Sequence, residues 1–128
     1  MFEKLEITAM AQAMAAHSGQ RLGMIAQNVA HADTPGYQAQ DIQDFAAVWQ
    51  NSAPGGMRAT RPGHLGSEAG MLVPQTLAGR GHASPNGNTV SLEAEMVKAV
   101  ETRQSHEMAL AIYRGTSEVI RASLGRRG

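Results

Sequence analysis

Between residues 51 and 88 the chain gathers Gly55, Gly56, Gly63, Gly66, Gly70, Gly79, Gly81 and Gly87 with Pro54, Pro62, Pro74 and Pro85, and contains no Phe, Tyr or Trp. Such a stretch cannot bury enough apolar surface to offset the entropy of ordering it. It therefore reads as a flexible loop, with short strands at residues 57–60 and 71–73 as its only regular structure. The rest of the chain is two patterned ends. Any fold must be built from those ends, with little help from the middle.

The first end, residues 1–33, reads as one helix. Ile7, Met10 and Met14 lie three and four apart, and Leu22, Ile25 and Val29 repeat that spacing. Ala9, Ala11, Ala13, Ala15 and Ala16 raise its helix propensity, whereas Gly19 and Gly23 each lower it by about 1 kcal/mol relative to alanine. At a rise of about 1.5 Å per residue it spans about 45 Å, long for a domain of this size. The second end, residues 91–124, opens with Ser91 as N-cap and with Glu93 and Glu95 in the first turn, where the helix dipole favours negative charge. Arg121, Arg126 and Arg127 stand at its far end. Leu92, Met96, Val100, Leu110, Tyr113, Ile120 and Leu124 form a heptad-like stripe. That stripe fits equally well a helix packed on its own chain and one packed in a bundle of several chains.

The first helix stops at a defined corner. Pro35 has no amide hydrogen, and its ring drives Thr34 out of the helical region. Thr34-Pro35-Gly36-Tyr37 then predicts a type II turn, with glycine at the position that needs a positive φ. Asn28 and Asp33 are short polar residues able to satisfy backbone groups left open at the helix end. The architecture expected is mainly α: an antiparallel, coiled-coil-like pair of terminal helices, a corner and insert over residues 34–90, and a tail at 125–128. A lone pair of helices has a single interface and leaves much of each stripe wet, which favours oligomerisation or marginal order in the free monomer.

Composition removes several functions. Of the 128 residues, 11 are Lys or Arg and 11 Asp or Glu, for a formal net charge of +0. That balance supplies no basic patch for nucleic acid or an anionic membrane. With 4% aromatic residues and 8 methionines, contacts between helices rest on Ala, Met, Leu, Ile and Val. No cysteine is present, so disulfides and thiolate metal sites are ruled out. The stretch MFEKLEITAMAQAM is interrupted by Glu3, Lys4 and Glu6 and predicts neither a secretory signal nor a membrane span. His17, His31, His64, His82 and His106 fall in no HExxH or His-x3-His pattern. GRGHASPNGN lacks the Gly-Lys-Ser/Thr end of a phosphate loop, and no Gly-x-Ser-x-Gly elbow occurs. The sequence predicts no enzyme, no cofactor, no metal and no small-molecule substrate.

NVAHADTPGYQAQDIQDF, residues 28–45, closely resembles the signature of the bacterial flagellar axial proteins, Asn-(Ile/Leu)-Ala-Asn-Ala-(Asp/Asn)-Thr-Pro-Gly-Tyr. ATRPGHL at 59–65 and NGNTVSLEAEMVKA at 86–99 resemble elements of the short proximal rod subunits of that family. His31 stands where a second Asn is usual, and His106 where a Tyr is common. The resemblance implies a structural role in the basal body. The subunit would be exported by the flagellar type III apparatus without a cleaved signal and assembled helically into the rod, in the periplasmic space. It would contact itself, the rod proteins FlgC, FlgF and FlgG, the rod-to-ring adaptor FliE and the export gate. Asn28, Asp33, Thr34, Pro35, Gly36 and Tyr37 are the residues it assigns to holding the corner. Another rod subunit such as FlgC, a helical-hairpin adaptor or secretion chaperone, and a hydrolase are the competing readings.

Overall fold

A computed structural model describes residues 2–51, 76–79 and 81–125. Helix α1 runs Phe2–Ala30 and helix α3 runs Leu92–Gly125, of 29 and 34 residues. Between them lie strand β1 (Gln40–Ile42), a short helix α2 (Phe45–Asn51) and strand β2 (Thr76–Ala78). The fold is mainly helical, with one long helix at each end. The sequence-based strands at 57–60 and 71–73, the ATRPGHL element and the last residues of the tail lie outside the described residues.

Helices α1 and α3 lie antiparallel. His106 Nδ1 donates to the Ala15 carbonyl at 3.1 Å, and the Asn28 and Glu95 side chains meet thirteen residues further along α1. The start of α1 thus flanks the last turns of α3, and the end of α1 meets the start of α3. Among the buried residues of the two helices, Ala11, Ser18 and Ile25 on α1 and Glu95, Thr102 and Ala109 on α3 recur every seven positions, with His17 and Asn28 buried beside them on α1. Small and polar side chains dominate the seam. They allow close approach of the two helices but supply little apolar area.

The apolar stripe read from the sequence divides across this seam. Ile25 is buried, while Met14, Leu22, Leu110, Tyr113 and Ile120 are half-buried. Ile7, Met10, Val29, Leu92, Met96, Val100 and Leu124 are exposed, Met96 and Val100 by 70% and 69%. The physical reason is geometric. A contact built on Ala, Ser and Thr forms on the face where backbones can come close, and the bulkier side chains are turned away from it.

Strands β1 and β2 pair antiparallel with Gln40 opposite Ala78, Asp41 opposite Leu77 and Ile42 opposite Thr76. Ile42 and Ala39 are buried beneath them. Helix α2 had no counterpart in the sequence reading. Its start is anchored by the Val48 amide bonding to the Asp44 carbonyl, and Phe45 approaches the buried His17 ring edge-on at 5.6 Å. His17 Nε2 donates to the Gln43 carbonyl at 2.7 Å, tying the β1–α2 connection to α1.

Candidate functional site

The corner follows α1 directly. The Thr34 amide bonds back to the His31 carbonyl and the Tyr37 amide to the Thr34 carbonyl, and Gly36 has φ of 73°. That is the type II turn the Pro-Gly pair predicts. Asp33, Thr34, Pro35 and Gly36 are exposed and Tyr37 is half-buried. The Tyr37 ring stacks on His31 with centroids 4.6 Å apart and planes within 8°. His31 therefore occupies its position as a flat partner for Tyr37, while its Nδ1 donates to the Gln27 carbonyl one turn back.

Asn28 is the hub. Fully buried, it uses every polar group it has: Nδ2 donates to the Gln40 carbonyl at 2.6 Å and to Glu95 Oε2 at 3.2 Å, and Oδ1 accepts the Gln40 amide and the Tyr37 hydroxyl. Its partners lie on β1, on the corner and on α3. It does not satisfy the open backbone groups of its own helix end, as its position suggested. Asn88, which the sequence does not single out, bonds the corner just past that helix end. It is 2% exposed, and its Nδ2 lies 2.9, 2.9 and 2.8 Å from the carbonyls of His31, Ala32 and Thr34. Two of these carbonyls, those of His31 and Thr34, also accept the amides of Thr34 and Tyr37. Asn88 Oδ1 meanwhile accepts the Val90 amide.

The second segment adds backbone bonds. Gly36 donates to the Asn86 carbonyl, Thr89 donates to the Tyr37 carbonyl, and the Ala39 amide donates to Thr89 Oγ1 at 2.7 Å. The Ser84–Gly87 turn is closed by the Gly87 amide on the Ser84 carbonyl, with Gly87 at φ 83°. A Cβ on Gly87 would stand 3.4 Å from the Gly36 Cα. The two left-handed glycines among the described residues therefore abut.

An ionic strand runs beside the hub. Arg21 on α1 makes a two-pronged contact with the Asp41 carboxylate at 3.1 and 3.2 Å. Lys98 on α3 reaches Asp41 at 3.5 Å and Glu95 at 3.2 Å. Burial works against the charged form of Asp41, but the Arg21 hydrogen bond, the Ile42 amide and the charges of Arg21 and Lys98 outweigh it and hold its pKa below the ordinary carboxylate value. The Arg21 guanidinium is correspondingly raised, by the Asp41 hydrogen bond first. Neither Arg21, Asp41 nor Lys98 stands out in the sequence, since each sits on a polar stretch and finds its partner only through tertiary contact.

Among the described residues no group of three His, Asp or Glu side chains converges to hold a metal ion, and no helix is long and apolar enough to cross a membrane. His82 is exposed, and His64 lies outside the described residues. What the arrangement does is mechanical: it joins the end of α1, the start of α3 and β1 into one hydrogen-bonded unit.

No family model matches the sequence. Curated relatives do. The flagellar basal body rod protein FlgB of Agrobacterium fabrum is 31% identical over 102 residues, covering 73% of this chain and 74% of that protein. The FlgB of Escherichia coli is 32% identical over 108 residues, covering 75% and 76%. That of Salmonella typhimurium is 33% identical over 103 residues, covering 73% and 74%. A pair of long terminal helices closed by a Pro-Gly corner thus defines, with these relatives, a protein of the flagellar basal-body rod class. Within that class the chain belongs to the FlgB family.

Proposed function

We propose that the chain is a structural subunit of the flagellar basal-body rod, acting by helix packing between copies rather than by chemistry at a pocket. Beyond family membership, one observation carries this reading. On the side of helix α3 turned from α1, apolar side chains stand exposed among Glu101, Gln104 and Glu118. Val97, Val100, Met108, Ile112 and Val119 are all exposed there, opposite the Glu95–Thr102–Ala109 side that meets α1. At 100° per residue these five cluster within about a third of the helix circumference. On α1, Leu5, Ile7 and Met10 are also exposed. Exposed apolar side chains gathered on one side of a helix in this way mark a surface covered by another protein.

On this reading the outward face packs against further copies of the chain and against other rod proteins, with FlgC, FlgF and FlgG as neighbours and FliE and the export gate below. The subunit reaches the periplasmic rod through the flagellar type III apparatus. The corner residues Asn28, Asp33, Thr34, Pro35, Gly36 and Tyr37 fix the angle at which the chain leaves α1. The stripe residues Ile7, Met10, Val29, Leu92, Met96, Val100 and Leu124 serve contacts between subunits, not the intrachain seam.

The test is Val100→Glu combined with Met108→Glu, in a strain whose only copy of the rod subunit is this chain. The monomer should keep its helix content by circular dichroism, because both side chains already face solvent. Motility and recoverable rods should be lost. Wild-type swimming by the double variant would overturn the reading.

A further inference from the structure

We infer that the corner after α1 is a two-segment lock: residues 31–39 take their fixed conformation only when residues 84–95 are docked on them. Within its own segment the corner is held by the His31–Tyr37 stack, the Tyr37 hydroxyl and Gln40 on Asn28, and the turn bonds of Thr34 and Tyr37, the last at 3.3 Å. Asp33 to Gly36 are exposed, and a four-residue turn with so little burial does not by itself repay its ordering entropy. The remaining bonds come from the far segment: the Gly36 amide on Asn86, Thr89 with Tyr37 and Ala39, and Asn88 Nδ2 against the carbonyls of His31, Ala32 and Thr34.

Dependence runs in the other direction as well. Asn88 and Thr89 are buried where they bond the corner, and the Glu95 carboxylate is buried against Asn28. The start of α3 and the end of α1 therefore order together or not at all. Ala39 and Thr89 lie 50 positions apart. A chain that emerges N-terminus first carries an open corner until its second half arrives, and a chain cut within the insert never closes it. The lock is a property of the single chain and stands whether or not copies assemble.

Hydrogen exchange on the full chain, followed by mass spectrometry, tests this with Asn88→Ala. Net hydrogen-bond contributions of about 1 kcal/mol each predict about tenfold to hundredfold faster exchange. The acceleration should appear at the amides of Gly36, Ala39 and Gln40 together with those of Thr89 and Val90. Residues 11–18 should exchange at the wild-type rate. Acceleration confined to the 84–90 side, with Gly36 and Ala39 unchanged, would overturn the lock. Should Asn88→Ala unfold the whole chain, the unmodified protein decides in graded urea. The amides of Gly36, Ala39, Thr89 and Glu95 should then share one opening curve, and separate curves for the two segments would overturn it.

Discussion

Asn28 and Glu95 stand 67 positions apart in sequence and hydrogen-bond side chain to side chain at 3.2 Å, both essentially sealed from solvent. Asn28 bonds one oxygen of that carboxylate, Oε2, and Lys98 the other, Oε1. The pair joins the two long helices at the corner end.

Replacing Asn28 by alanine removes a donor from the buried Glu95 and strips the Gln40 amide and carbonyl of their partner. Uncompensated buried polar groups of this kind cost about 2–4 kcal/mol together. Urea unfolding of Asn28→Ala at fixed protein concentration should show a midpoint lowered accordingly. A loss below about 0.5 kcal/mol would mean that the hub contributes no stability.

The Asp41 ion pair sets an acid limit. Its folded pKa lies below the ordinary 3.8, so its contribution is fully present above that value and is lost as the pH falls through the lower, folded pKa. Asp41→Asn should therefore destabilise the chain at neutral pH and flatten the decline of stability below about pH 4. Thermal unfolding of both proteins from pH 7 to pH 2 reads this directly. Parallel acid limbs would show that other carboxylates govern it.

Glycines in this chain divide by what surrounds them. Gly36 and Gly87 have φ of 73° and 83° and touch each other, so alanine at either should cost about 1–2 kcal/mol, Gly87→Ala more because its Cβ would crowd Gly36. Gly19 and Gly23 lie within α1 with open space around the missing side chain. Alanine there should stabilise the isolated chain by about 0.5–1 kcal/mol each. Opposite signs in one urea series are the expected result.

The Thr102 hydroxyl is buried in the seam and finds no hydrogen-bond partner among the described residues. It borders a cavity of about 180 Å³ lined also by Met14, His17, Ser18, Arg21 and Phe45. Thr102→Val keeps the shape and removes the unsatisfied group, so it should raise stability by about 1 kcal/mol. A clear destabilisation in calorimetry would show that the hydroxyl has a partner in solution.

Local chemistry made part of this legible in the sequence. Pro35 and Gly36 mark the end of α1 and its turn type, and Ser91 marks the start of α3, its Oγ accepting the Ala94 amide. These signals act over a few residues and need no tertiary context. The seam was not legible, because Ala11, Ser18, Glu95, Thr102 and Ala109 carry no apolar periodicity, and the eye is drawn to the bulkier residues that point outward. Asn88 is hidden for a different reason: it bonds a corner that lies more than fifty positions earlier in the chain. Glu95 was read as an acid favoured by the helix dipole, and its burial beside Asn28 depends on that same distant contact.

The antiparallel register of α1 and α3 gives the molecule a head and a tail. One end holds the corner, its paired glycines and the ionic strand; the other holds the start of α1 beside the last turns of α3. On the proposed reading, a shaft built from such copies has a direction, because the two ends of each copy differ.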